Sequence, residues 1–202
     1  MEPTTAGRFR VLDSPREPDE LLLLDVEGYD PTYVPRTGHG DLDGRVAALR
    51  PGYLVGATLA WDGGTPRVVE LEVRKRTLFE FVDGVTGIFE AAREAWRAAA
   101  AEGAAMNSRV TRDTAGDPNG VVYVFAQQDG ARDLFAEFAD GARPLEPLIE
   151  RVNESRDGDR EVFVLRPADE PFLVVYIVFE KGGLLADTVR DTYGCPRPAG
   201  AR

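Results

Sequence analysis

Two stretches, "VVYVFAQQDG" at 121–130 and "VVYIVFEKGG" at 174–183, write nearly the same apolar phrase 53 positions apart. Side chains alternate between the faces of a strand, so a strand with one wet face alternates apolar with polar. "VVYVF" and "FLVVYIVF" do not alternate. Both are apolar on both faces, and a chain containing them must cover a sheet from two sides. Sliding the chain by 53 also sets Asp117-Pro118 on Glu170-Pro171, Gly130 on Gly183 and Gly141 on Gly194, with 7 identities in the 36 positions from 106. Leu134, Phe135 and Phe138 do not keep phase with Leu185, Val189 and Tyr193. The pattern predicts a duplicated β-hairpin–helix unit, alike in its strands and divergent in its helices, forming a four-stranded antiparallel sheet with helices. Three covers for the second sheet face stand open: the N-terminal region, a long helix, or another copy of the chain in a homodimer through the apolar sheet face.

Upstream the periods differ. "RFRVL" (8–12), "LLLLDV" (21–26) and "TYVP" (32–35) read as strands, followed by a Gly-containing loop and the helix-compatible "RVAALRPG". "YLVGATLAW" and "RVVELEVRKRTLFEF" flank "DGG" (62–64), a tight hairpin signal. Three strands, a short helix and a two-strand hairpin is the element order of an OB-type barrel. The fold class expected is therefore α+β, with a small OB-like β-barrel over 1–81 and the two hairpin–helix repeats over 82–202. Val85, Ile88, Phe89, Ala92, Trp96 and Ala99 step at helical spacing and mark the long helix, with Gly103 as its cap.

The chain carries 35 acidic against 24 basic residues, net −11, and of the bases only Lys75 and Lys181 are lysine. Such a charge self-repels, and molar salt shortens the Debye length to about 3 Å and screens it. A halophilic protein fits, as does an acidic protein from a genome that favours arginine codons. A single cysteine, Cys195, excludes an internal disulfide. The longest apolar run is eight residues, 172–179, far below the roughly 20 of a membrane helix. No signal peptide is expected, and the predicted location is cytoplasmic.

The motifs name no reaction. "DTAGDPNG" (113–120) lacks the acid spacing and late glutamate of a calcium loop and reads as a hairpin turn. His39, the only histidine, reads as an exposed loop residue, with a general-base role beside Asp41 and Asp43 as the rival. Cys195 reads as part of a frayed tail. Glu180 and Lys181 are adjacent, so they point to opposite faces and fail the nuclease spacing. Gly-rich phosphate loops, CxxC pairs, HExxH and GxSxG are absent from the sequence, and neither catalytic residues, a metal site nor a cofactor is assigned.

Two clusters remain. Arg74, Lys75 and Arg76 form the one dense basic run, and with Tyr53, Trp61 and Phe79 they suit a groove for single-stranded nucleic acid. Net acidity and salt screening oppose that reading. Arg109, Arg112 and Asp113 are the candidates for a ligand cleft between barrel and sheet. Their strand, "MNSRVTRD" (106–113), otherwise reads as an edge strand.

"KRTLFEF" (75–81), "MNSRVTRD" and "DPNGVVYVF" (117–125) resemble segments of an uncharacterised family of haloarchaeal proteins of unknown function, over residues 8–194. The resemblance implies a cytosolic, salt-rich setting and transfers no catalytic residue. The expectation is a non-catalytic binding or accessory protein. Single-stranded nucleic acid leads as partner, ahead of a small ligand or another protein. An enzyme of unrecognised type is the alternative.

Overall fold

The computed structural model describes residues 3–127, 130 and 132–201; Gln128 and Asp129 of the first repeated phrase lie outside them. The protein is mixed α+β, with two five-stranded sheets and five helices among the described residues. It divides into two compact units: unit 1 holds residues 1–77 and 138–146, and unit 2 holds 78–137 and 147–202.

Unit 1 contains β1 (Thr4–Asp13), β2 (Glu20–Asp25), β3 (Pro31–Pro35), the short α1 (Asp43–Ala47), β4 (Leu54–Asp62) and β5 (Thr65–Lys75). The strands form one antiparallel sheet in the order β3-β2-β1-β4-β5. Gly63 and Gly64, both at positive φ, make the two-residue turn that "DGG" predicts. No ladder joins β3 to β5 among the described residues, so the sheet is not closed by backbone pairing. β3 begins and ends in proline, Pro31 and Pro35, which have no N–H to donate.

His39 acts where that ladder is missing. Its ring is buried, 4% exposed, contrary to the expected loop exposure. Nδ1 accepts the Val68 N–H of β5 at 3.1 Å, and Nε2 donates to the Pro35 carbonyl of β3 at 2.6 Å. The two contacts fix the neutral tautomer protonated at Nε2. The Asp43 carboxylate takes the His39 backbone N–H and holds the loop. The solitary histidine is a clasp between edge strands.

A second polar tie lies within unit 1. Arg10 on β1 and Glu146 are both buried and meet as a two-pronged pair, at 2.8 and 2.6 Å, while Arg10 also donates to the Gly52 carbonyl.

Unit 2 contains β6 (Leu78–Val85), α2 (Glu90–Glu102), β7 (Met106–Arg112), β8 (Pro118–Ala126), α3 (Leu134–Ala139, ending in unit 1), α4 (Glu146–Asn153, whose first residue belongs to unit 1), β9 (Glu161–Pro167), β10 (Phe172–Val178) and α5 (Leu184–Tyr193). The sheet order is β6-β9-β10-β8-β7. The two hairpins give the four antiparallel strands, and β6 adds a fifth, parallel to β9. That pairing places 78–81 in unit 2, not with the N-terminal strands. α2 starts later than its apolar spacing suggests, because Val85 ends β6 and Phe89 is extended. Gly103, left-handed at φ 66°, caps it as expected.

One face of this sheet buries Val122, Val124, Phe163, Leu165, Phe172, Val174 and Tyr176 against Ala92 and Ala95 of α2 and Ala186 and Val189 of α5. Phe89 stacks on Tyr176 and Trp96 on Phe172. The other face is buried too: Val162, Val164, Val175 and Ile177 are each 0% exposed. Burying each such side chain contributes about 1.5–3 kcal/mol. The sheet is thus buried on both faces, as its unbroken apolar runs require.

The repeated phrase pairs with itself, one residue out of phase. Val122 lies opposite Tyr176 and Tyr123 opposite Val175. Directly paired residues share a face, so Tyr123 and Tyr176, equated by the offset of 53, point to opposite faces. The hairpin–helix order recurs, but the matched letters do not occupy matched positions. Strands apolar on both sides tolerate that slip. Gly120 on β8 sits where an added Cβ would lie 2.8 Å from the Tyr176 ring and 2.9 Å from the Thr111 hydroxyl.

Candidate functional site

The structure separates the residues the sequence grouped for nucleic acid. Tyr53 is 2% exposed and Phe79 6%, so neither offers a free ring face. The Arg76 guanidinium lies 5.7 Å from the Tyr53 ring centre. Trp61 pairs with Pro66 at the turn of the β4–β5 hairpin, while Lys75 pairs with Leu54 at the other end. At about 3.3 Å per residue, the seven steps of β4 from Leu54 to Trp61 set the two ends roughly 23 Å apart. Arg74, half-exposed, pairs with Glu72 at 2.9 Å and lies along Gly56. It lines a groove of about 610 Å³ with Arg45, Glu70 and Glu72 over a floor of Gly7, Gly56 and Ala57.

The second set does not converge either. β7 is the edge strand expected of it. Arg109 pairs with Glu94 of α2, and Arg112 donates to the Gly116 carbonyl. Asp113 accepts the Ala115 and Asp117 N–H groups, which makes "DTAGDPNG" the turn its Pro, Asn and Gly forecast.

A concavity of unit 2 lies around "FEKGG" (179–183), a stretch that the sequence marks only as a failed nuclease spacing. One lobe, about 860 Å³, is lined by residues including Arg156, Asp157, Asp159, Lys181, Asp187 and Arg197. A second lobe, about 610 Å³, is lined by residues including Asp113, Asp117, Pro118, Leu184, Leu185 and Thr188. Both lobes share Arg156, Phe179 and Glu180. The guanidinium carbons of Arg156 and Arg160 lie 5.1 and 5.5 Å from the Phe179 ring centre, within cation–π range. Arg160 is 1% exposed, and burial pulls its pKa down.

A buried carboxylate fixes the wall of this cleft. Glu161, at the start of β9, is 0% exposed. Its Oε2 accepts Arg190 Nε at 2.6 Å, and its Oε1 accepts the Gly182 N–H at 2.9 Å and Arg197 Nη2 at 2.7 Å. Arg190 reaches on to Glu80 and to the Cys195 carbonyl, and Arg197 to Asp187. So the "KGG" bend, the last turn of α5 and the tail are locked onto one acid. The tail is not frayed. Cys195 is buried, which pushes its thiol pKa up and away from thiolate reactivity. No arrangement of sequence spacing signals this hub, because Glu161, Gly182, Arg190 and Arg197 come from a strand, a bend, a helix and a tail.

On the opposite rim of the sheet, Arg166 of β9 bridges Asp83 of β6 and Asp133 beside α3 while lying over Phe135. Hydrogen bonding to Arg166 holds Asp83 below the usual carboxylate range, and the Ala136 N–H and then Arg166 do the same for Asp133. This is a strut, with its charges paired to one another.

Among the described residues no group of three or more His, Cys, Asp or Glu side chains is placed to hold a metal ion, and no helix is long and apolar enough to cross a membrane. No curated protein matches the chain. A family model does, over residues 1–198, and the chain belongs to that family, the family of unknown function DUF6663.

Proposed function

We propose that the protein is a non-catalytic binding protein that uses the two-lobed cleft of unit 2. One observation carries this reading: two concave lobes meet at Phe179 and Arg156, on a wall held rigid by Glu161. Concave surface, an aromatic floor and a preorganised polar frame are what ligand sites have in common. Its acidic, lysine-poor composition supports a halophilic cytoplasmic setting, where buried pairs such as Glu161–Arg190 escape the screening that weakens surface charges. The test is to purify the chain at multi-molar KCl and identify, by mass spectrometry of the denatured sample, what accompanies it. A stoichiometric companion that Phe179→Ala releases is the expected result. A clean wild-type sample whose melting temperature no ligand mixture shifts would overturn the reading.

A second reading rests on unit 1. The strand order β3-β2-β1-β4-β5, the helix between β3 and β4, and the His39 clasp support an OB-like barrel, and Arg45 and Arg74 line a groove on it. Single-stranded nucleic acid is the partner such a face takes. Glu70 and Glu72 in the same groove, and the burial of Tyr53, rank this behind the cleft. Labelled oligonucleotides that bind the wild type and release from Arg74→Ala would reverse that ranking.

A further inference from the structure

We infer that the smaller lobe of the cleft docks a segment of a partner protein that presents an apolar side chain flanked by arginine or lysine. This rests on the cleft being the binding site.

Leu184 is the first argument. It is 86% exposed at the first position of α5, whereas Val189 of the same helix is 5% exposed and Ala186 0%. Beside it, Val178, Phe179, Leu185 and Pro118 line the lobe, so the exposed leucine extends an apolar floor. Gly183, the N-cap, packs against Glu180: an added Cβ would meet its carboxyl carbon at 3.0 Å. The corner that presents the leucine is pinned from behind by the Gly182 N–H bond to Glu161.

The rim supplies the second argument. Three acids, Asp113, Asp117 and Glu180, face one base, Arg156, whose guanidinium lies against Phe179. Over both lobes the lining has six acids and three bases, on a chain of net charge −11. Charge complementarity thus selects a cationic occupant. It disfavours a second copy seated lobe to lobe, which would set acid against acid. At molar salt attraction between charges fades beyond about 3 Å, so a bare polycation is not retained. Contact-range pairing plus an apolar anchor is what survives, and the joined lobes have room for several residues of extended chain.

The test uses the full-length chain and a labelled twelve-residue peptide of alternating leucine and arginine, followed by fluorescence anisotropy in multi-molar KCl. Two control peptides replace every arginine with glutamate or every leucine with serine. The expected result is binding of the first peptide alone, weakened ten- to a hundred-fold by Leu184→Ser, which removes one exposed anchor and leaves the charge unchanged. Circular dichroism of the variant checks its fold, and Leu184 has little to contribute to the core. Binding that disappears at high salt, or that ignores Leu184→Ser, would overturn the inference as mere attraction to an acidic surface. Self-association lost on Leu184→Ser would overturn it in favour of a second copy. A small molecule released by Phe179→Ala, with no peptide binding, would overturn this inference and leave the cleft as the binding site.

Discussion

Each unit buries a carboxylate against arginine, and the two do different things with it. In unit 1, Glu146 takes both prongs of Arg10, tying β1 to a segment 136 residues later in the chain. In unit 2, Glu161 is divided between Arg190, Arg197 and the Gly182 N–H, and those partners lead outward to the cleft. The first arrangement fastens a fold. The second fastens a surface to a fold. A buried ion pair gives little net stability after desolvation, but losing one member leaves a charge stranded in low dielectric.

The largest expected effect tests that contrast directly. Glu146→Gln and Glu161→Gln should each cost about 3–5 kcal/mol, read from denaturant midpoints at constant high salt. The double replacement Arg10→Met with Glu146→Leu should recover most of the loss, because it removes both charges of the pair. No single companion change should rescue Glu161→Gln, since its amide cannot serve two arginines and a backbone N–H as the carboxylate does. Equal rescue in both units would dissolve the distinction.

The His39 clasp should come next. His39→Phe strands the Val68 N–H and the Pro35 carbonyl, at about 1–3 kcal/mol for each buried unsatisfied group. His39→Asn should cost less, because its carbonyl can stand in for Nδ1 toward Val68. Hydrogen exchange at Val68, faster in the Phe variant than in the Asn variant, would report the seam itself. Identical exchange in the two would show that ring volume, not the pair of hydrogen bonds, holds β3 to β5.

The smallest effect concerns the strut at Arg166. Asp83 and Asp133 have depressed folded-state pKa values, so their stabilisation is present above the ordinary carboxylate value near 4 and fades as pH falls through the folded values. Both side chains are about half exposed, which limits the contribution to under about 1 kcal/mol. The midpoint gap between wild type and Arg166→Gln should therefore be small at pH 6 and shrink further as pH falls below the ordinary carboxylate value. A gap that persists in acid would assign Arg166 a packing role over Phe135 instead.

What was legible in the sequence follows from how local each signal is. Gly63-Gly64, the Asp113–Asn119 turn and the Gly103 cap each depend on a few neighbouring residues, and they form as read. The unbroken apolar runs announced a sheet buried from both sides. The element order of unit 1 was readable, while the seam between β3 and β5 was not, because it turns on a histidine that reaches across. The cleft was hidden for the same reason. His39 looked exposed, Cys195 looked frayed and "FEKGG" looked like a failed motif, since each is defined by partners far away in the chain. The basic run misled in the opposite way: adjacency in sequence gave Arg74 and Arg76 different surroundings, one against Gly56 and the other over a buried Tyr53.

The slipped phrase of β8 and β10 leaves a question of how these strands choose their alignment at all. Polarity carries no instruction there, since sliding β10 by one residue would exchange one apolar face for another. In β5, where exposed Arg67 separates buried Pro66 from buried Val68 and exposed Glu70 and Glu72 flank buried Leu71, the same slide would drive charges inward. Bulk supplies the missing instruction. Gly120 leaves a notch that the Tyr176 ring fills, with no space for even a methyl group, and only one alignment puts the widest side chain over the narrowest site. Where a strand's alphabet has lost its two letters, wet and dry, the protein spells position in sizes, and a glycine becomes the most informative residue in the sheet.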